Sequence, residues 1–156
     1  MGTLPRVIAK NFDTAHMHSS SKATLVRNAI QNPKDGRHFM RIKPRTRLLT
    51  AITPDGTELA RSKQVYMLLE AGMDLYDPTY YFPRADVRTD LLEKTDKSTH
   101  CPLKGDTAYY HIVLGDRKLE NAAWSYVKPF DFSMDLKDRI AFDPEMVQLV
   151  EHLQSD

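Results

Sequence analysis

Three short runs gather the side chains best suited to chemistry. Tyr81-Phe82-Pro83-Arg84-Ala85-Asp86-Val87 ends an aromatic stretch on a guanidinium. Thr99-His100-Cys101-Pro102-Leu103-Lys104-Gly105 offers an imidazole, a thiol and an ammonium in close succession. Ala122-Ala123-Trp124-Ser125-Tyr126 carries the single tryptophan. His100 titrates near neutrality, which suits a general acid or base. Lys104 supplies a point charge for an anion or an amine for carbonyl chemistry, and Gly105 lets the backbone approach a ligand. The planar fork of Arg84 fits a carboxylate, either a ligand's or that of Asp86, Asp90, Glu93 or Asp96. Tyr81, Tyr109, Trp124 and Tyr126 are large amphipathic rings that line a pocket or fill a core.

Each of these groups has a plainer use: an internal salt bridge for Arg84, a hydrogen-bonded imidazole for His100, a surface amine for Lys104. Strand geometry sorts them further. Neighbours at i and i+1 face opposite sides, so His100 and Cys101 do not share a pocket and a Cys–His nucleophilic pair is disfavoured. Cys101 then reads as a small buried hydrophobe. Trp124 and Tyr126 share a face, as do Tyr109 and His111.

The elements that must position these runs are mostly strands. Leu48 to Ile52 leads into Pro54-Asp55-Gly56-Thr57, a turn in which proline presets φ and glycine accepts a positive one, and the chain returns through Glu58-Leu59-Ala60. Tyr80-Tyr81-Phe82 is strand material. Ala108 to Leu114 is the clearest strand, turning at Gly115-Asp116 into Lys118-Leu119, and Ala122 to Val127 forms another. Three helices are expected. One is a short amphipathic helix through Leu25, Val26, Ala29 and Ile30. A second is capped by Ser62, carries Val65, Leu68 and Leu69 and stops at Gly72. The third starts at Asp143-Pro144 and runs through Met146, Val147, Leu149, Val150 and Leu153. Residues 1–35 read as an extension and 36–156 as one domain, which suits a chain of 156 residues.

Composition narrows the function classes. The chain is 41% hydrophobic with a formal charge of +1, from 22 basic and 21 acidic side chains. That is ordinary globular material without the basic excess of a nucleic-acid binder. The charges at Arg41, Lys43, Arg45 and Arg47 read as a solvated strand edge. With one cysteine there is no internal disulfide and no Cys-only zinc site, and none of the six histidines sits in an HExxH pattern. No apolar run reaches the roughly 18 residues of a membrane span, and no GxGxxG follows a strand. The expectations are a cytoplasmic protein with no metal, no cofactor, no nucleic acid and no membrane.

The three runs, with Asp90-Leu91-Leu92, resemble family 427 of the domains of unknown function, over about residues 43–151. Its members carry a Tyr-(aromatic or Ile)-Pro-Arg run, a Thr-His-Cys-Pro-x-Lys-Gly run and an Ala-Trp-Ser-Tyr run in this order. The resemblance implies a mainly β fold, a β-tent of two small antiparallel sheets with short peripheral helices. Methionine-R-sulfoxide reductases and the ligand-binding domain of cereblon share that architecture. Many β-tent proteins hold zinc with two Cys-x-x-Cys pairs, a feature the lone Cys101 does not carry over. The label nucleotidyltransferase-like, also attached to the family, fits the residues poorly. Asp116 follows Gly115 where a Gly-Ser or Gly-Gly turn is needed, and Asp131-Phe132-Ser133 lacks a second carboxylate.

These readings converge on a small-molecule pocket with His100 and Lys104 as catalytic groups and Tyr81, Arg84, Tyr109, Trp124 and Tyr126 as its lining. Its cations suit an anionic or carbonyl-bearing metabolite, in an acid–base enzyme of isomerase, cyclase or hydrolase type. Two alternatives stay open. One is a module that binds a ligand or peptide without turnover, and the other is a structural protein that forms a homodimer through its terminal helices.

Overall fold

The computed structural model describes residues 29–153. Eleven strands appear among them: β1 (Ile30–Asn32), β2 (Asp35–Arg45), β3 (Leu48–Ile52), β4 (Glu58–Ser62), β5 (Val65–Ala71), β6 (Thr79–Pro83), β7 (Leu92–Cys101), β8 (Gly105–Leu114), β9 (Arg117–Lys128), β10 (Arg139–Phe142) and β11 (Gln148–His152). The helical content of these residues is three short 3-10 turns, at Arg84–Asp86, Thr89–Leu91 and Asp131–Leu136. The protein is mainly β, with two antiparallel sheets of unequal size. The larger has eight strands in the order β1-β2-β5-β6-β10-β9-β8-β7, and the smaller runs β11-β3-β4.

Alternation along the central strands builds two cores, one on each face of the large sheet. On β6, Phe82 joins Leu49, Leu59, Val65, Ile112, Ile140 and Phe142, the core shared with the small sheet. Its neighbour Tyr81 joins Met40, Leu68, Leu103, Tyr126, Leu136 and Ala141 in a second core. The 3-10 segment Asp131–Leu136 contributes Leu136 to that second core. It is tied to the turn between β7 and β8 by Ser133 Oγ, which donates to the Leu103 carbonyl.

The turn signals at Pro54–Gly56 and Gly115–Asp116 produce the expected β3–β4 and β8–β9 hairpins. Two expected helices are strands instead. Val65, Leu68 and Leu69 have helical spacing, but β5 lies between β2 and β6 and is packed on both faces. Such a strand reads as a nearly continuous apolar run, which spacing alone does not separate from a helix. At the C-terminal end the start signal is real: the Met146 and Val147 amides both donate to the Asp143 carbonyl. After one turn the chain extends as β11, because pairing with β3 satisfies a row of backbone groups on that strand. In the first expected helix, Ile30 belongs to β1 and pairs with Met40. Leu25 and Val26 lie outside the described residues.

Gly105 shapes the β7–β8 hairpin. Its φ is +95°, and a Cβ there would stand 3.0 Å from the Lys128 carbonyl oxygen. Gly56 also has a positive φ, +88°, but with open space around it. Both Gly→Ala changes therefore carry backbone strain of about 1–3 kcal/mol, and Gly105→Ala adds a steric clash with backbone. Urea unfolding should show the larger loss for Gly105→Ala; equal losses would mean the carbonyl yields freely.

Candidate functional site

Lys104 closes the turn after β7, its amide donating to the Cys101 carbonyl at 3.2 Å. The turn points its side chain inward, and only 7% of that side chain is exposed. There the ammonium donates to Glu70 on β5, whose side chain is 13% exposed. Glu70 takes a second donor on its other oxygen, His38 Nε2 at 2.8 Å. The Asn32 amide stands against His38 Nδ1 at 3.4 Å.

Parity explains why these groups share a face. Met40 pairs with Glu70 across β2 and β5, and His38 lies two residues before Met40. On the far side of the sheet Thr107 pairs with Tyr126, Tyr109 with Trp124, and Trp124 with Ala141 of the second core. Cys101 and Trp124 pack against that same core.

An aromatic series continues from the ion pair toward the surface. Lys104 Nζ lies 5.8 Å from the Tyr126 ring centroid, and the Tyr126 and Tyr81 rings are 6.3 Å apart. Trp124 Nε1 donates to the Tyr81 hydroxyl at 3.3 Å. The Tyr109 ring lies 6.5 Å from Trp124, and its hydroxyl shares a 3.0 Å hydrogen bond with Thr99 Oγ1. Lys97 Nζ covers the Tyr109 ring at 4.3 Å.

The electrostatics follow from burial and pairing. Burial pushes the Glu70 carboxyl up, but the Lys104 ammonium and the hydrogen bonds from Lys104 and His38 outweigh it and hold the pKa below the ordinary range. Burial likewise pushes Lys104 down, and the negative charges of Glu70 and of Tyr126 once it ionises more than restore it, leaving the ammonium pKa raised. Burial raises Tyr126, with Lys104 opposing, and raises Tyr81 well above its usual value. At neutral pH the face therefore carries one ammonium, one carboxylate and two protonated phenols.

Of the seven residues singled out in the sequence, five meet on or beside this face: Tyr81, Lys104, Tyr109, Trp124 and Tyr126. Lys104 is buried and paired with Glu70, where the sequence reading expects it exposed at the mouth of a cavity. Arg84 lies elsewhere, in the 3-10 turn after β6. Its Nη2 donates to the Tyr110 hydroxyl at 3.2 Å, and Tyr110 pairs with Ala123 of the first core. The His100 side chain is 61% exposed, with Nδ1 2.7 Å from Asp106 and its ring edge-on to Phe130 at 6.0 Å. Cys101 turns to the opposite side from His100, as strand parity requires. Glu70 and His38 were not legible as site residues. A strand reading of 65–71 would have found Glu70, since it places a carboxylate two positions from Leu68, on the inward face. A surface depression lined by Pro44, Arg45, Thr46 and Arg47 lies at the β2–β3 turn, away from this cluster.

A curled antiparallel β domain with a buried charge pair set among aromatic rings is the class the geometry defines. The chain belongs to the family described as NTP_transf_9, Domain of unknown function (DUF427), which it matches over residues 41–152. No curated protein matches it. Among the described residues no helix is long and apolar enough to cross a membrane.

Breaking one side of the pair is the costly change. Lys104→Met should lose about 3–5 kcal/mol, because it strands a buried carboxylate. Adding Glu70→Gln should recover most of that, since Gln is neutral and still accepts from His38. The Glu70 contribution is fully present above its unfolded pKa of about 4.3 and is lost as pH falls through the lower folded value. The Lys104 contribution is fully present below about 10.4 and is lost as pH rises through the higher folded value. The double variant should therefore show a flatter stability profile at both ends in urea titrations. A profile parallel to that of the unmodified chain would remove the pair as the cause.

Proposed function

We propose that this domain binds a small, acceptor-rich metabolite, anionic or carbonyl-bearing, on the inner face around Lys104. The observation that carries this reading is the buried Lys104–Glu70–His38 chain set among Tyr81, Tyr126 and Trp124. A buried ion pair is poor evidence of stabilisation, because well-packed apolar residues do as well or better in its place. Titratable groups held in shifted states beside an aromatic wall are, in contrast, a frequent mark of a binding or catalytic site. The face is rich in donors: the Lys104 ammonium, the Tyr81 and Tyr126 hydroxyls and the Trp124 indole N–H.

In an acid–base reaction the Lys104 ammonium receives the developing negative charge, while Glu70, a weak base at its lowered pKa, holds that ammonium charged and oriented. The raised ammonium pKa argues against a neutral-amine nucleophile, so an isomerase, cyclase or hydrolase chemistry fits better than Schiff-base formation. A second reading, binding without turnover, is favoured by one feature: Lys104 and Glu70 already neutralise each other, which leaves recognition to the aromatic rings.

A thermal-shift screen of small carboxylates and carbonyl compounds tests both readings, since a ligand at 100 times its dissociation constant adds about 2.7 kcal/mol. For a hit, the Lys104→Met, Glu70→Gln double variant should bind roughly 10- to 100-fold more weakly, the scale of a charge-assisted hydrogen bond. Arg84→Ala and His100→Ala should leave affinity within about twofold if they stay off the site. Undiminished binding in the folded double variant would sink the Lys104 assignment, and product formation separates enzyme from binder.

A further inference from the structure

We propose that His38, Glu70 and Cys101 form a binding site for a borderline divalent cation of the zinc class. One donor atom from each residue lies within 4.8 Å of the other two. Tetrahedral zinc, with nitrogen and oxygen at about 2.0–2.1 Å and sulfur at about 2.3 Å, holds its donors roughly 3.3–3.5 Å apart. Side-chain adjustments of an ångström or so close the site. An imidazole, a carboxylate and a thiol are also the ligand types that zinc selects, and three protein ligands leave a fourth position for water.

The surroundings suit that use. The Lys104 ammonium sits on the Glu70 oxygen that His38 leaves free, so Glu70 coordinates through the other oxygen while Lys104 orients it. An ammonium on the free oxygen of a ligating carboxylate is an outer partner of the kind that fixes ligand geometry in metal sites. The ion displaces the Cys101 thiol proton, and His38 moves its ring proton from Nε2 to Nδ1 so that the Nε2 lone pair faces the ion. The Asn32 amide, which approaches Nδ1 through its nitrogen at 3.4 Å, turns away. The expectation of a metal-free protein rested on ligand spacing along the chain. These donors lie on β2, β5 and β7, which no spacing rule joins, and the curl of the sheet brings them together. This site stands on its own geometry and does not require the small-molecule reading.

Titration of the full chain with Co²⁺ tests the proposal. The expected result is saturation at one equivalent, with a thiolate-to-cobalt charge-transfer band in the near ultraviolet that Zn²⁺ abolishes. Cys101→Ser should eliminate the band, and His38→Ala should weaken binding at least tenfold. A His16→Ala, His18→Ala variant should bind as the unmodified chain does, since those two histidines are the obvious adventitious ligands. A second measurement needs no ligand substitution: Cys101 is the only cysteine, so Zn²⁺ should slow its alkylation by iodoacetamide stoichiometrically. Absence of the band together with unprotected Cys101 overturns the proposal, as does binding that follows His16 and His18. Loss of the small-molecule response with cobalt binding intact would count against the small-molecule reading alone.

Discussion

The contact between Lys104 and Glu70 constrains the whole architecture. In the large sheet, β5 and β8 are separated by β6, β10 and β9. At about 4.8 Å per strand, a flat sheet would hold them roughly 19 Å apart. A lysine side chain does not span that distance, so the sheet must curl until its two wings approach. Cys101 on β7 and His38 on β2 are further apart in strand order, yet their donor atoms come within 4.8 Å. Right-handed twist supplies part of this curvature, and the irregular registers in β7–β8 and β8–β9 supply more. The second core fills the inside of the curl, and the small sheet closes the outside.

Curl and alternation together decide which side chains belong to the site. A residue on β6, β8 or β9 enters the inner face only at one parity. This is why Tyr81 and Phe82, adjacent in sequence, serve different cores. The same rule sends Cys101 inward and His100 outward. It also puts Tyr110, and with it Arg84, on the side opposite Trp124. The sequence motifs are therefore composites: each contributes to both faces, and only part of each can act at one site.

Much of this was legible in the residues. Turn chemistry located two hairpins, aromatic and β-branched runs located β6, β8 and the second half of β9, and parity separated His100 from Cys101. The misreadings share one physical cause. Val65-Tyr66-Met67-Leu68-Leu69 shows helical spacing because β5 is packed on both faces, and there as at Met146 to Val150 backbone pairing with a distant strand overrides local preference. That error carried over into the site. With residues 65–71 taken as a helix, Glu70 is one more solvated carboxylate, and Lys104 has no partner to draw it inside. Long-range pairing decides both points, and it leaves no trace in the local pattern.

The polarity of the inner face follows from that pairing. With Glu70 neutralised by Lys104, the remaining polar groups of the face are mainly donors. Tyr81 and Tyr126 are held protonated by burial, and the Tyr81 hydroxyl accepts from Trp124 while keeping its own proton to give. An organic cation entering here would meet a carboxylate already doubly satisfied and an ammonium that repels it. An acceptor-rich ligand would instead find several donors and compete with Glu70 for Lys104. A divalent metal escapes the first objection, because thiolate and imidazole offer it lone pairs that Glu70 alone does not. The two proposed guests thus differ in whether they displace Lys104 from Glu70 or leave it there.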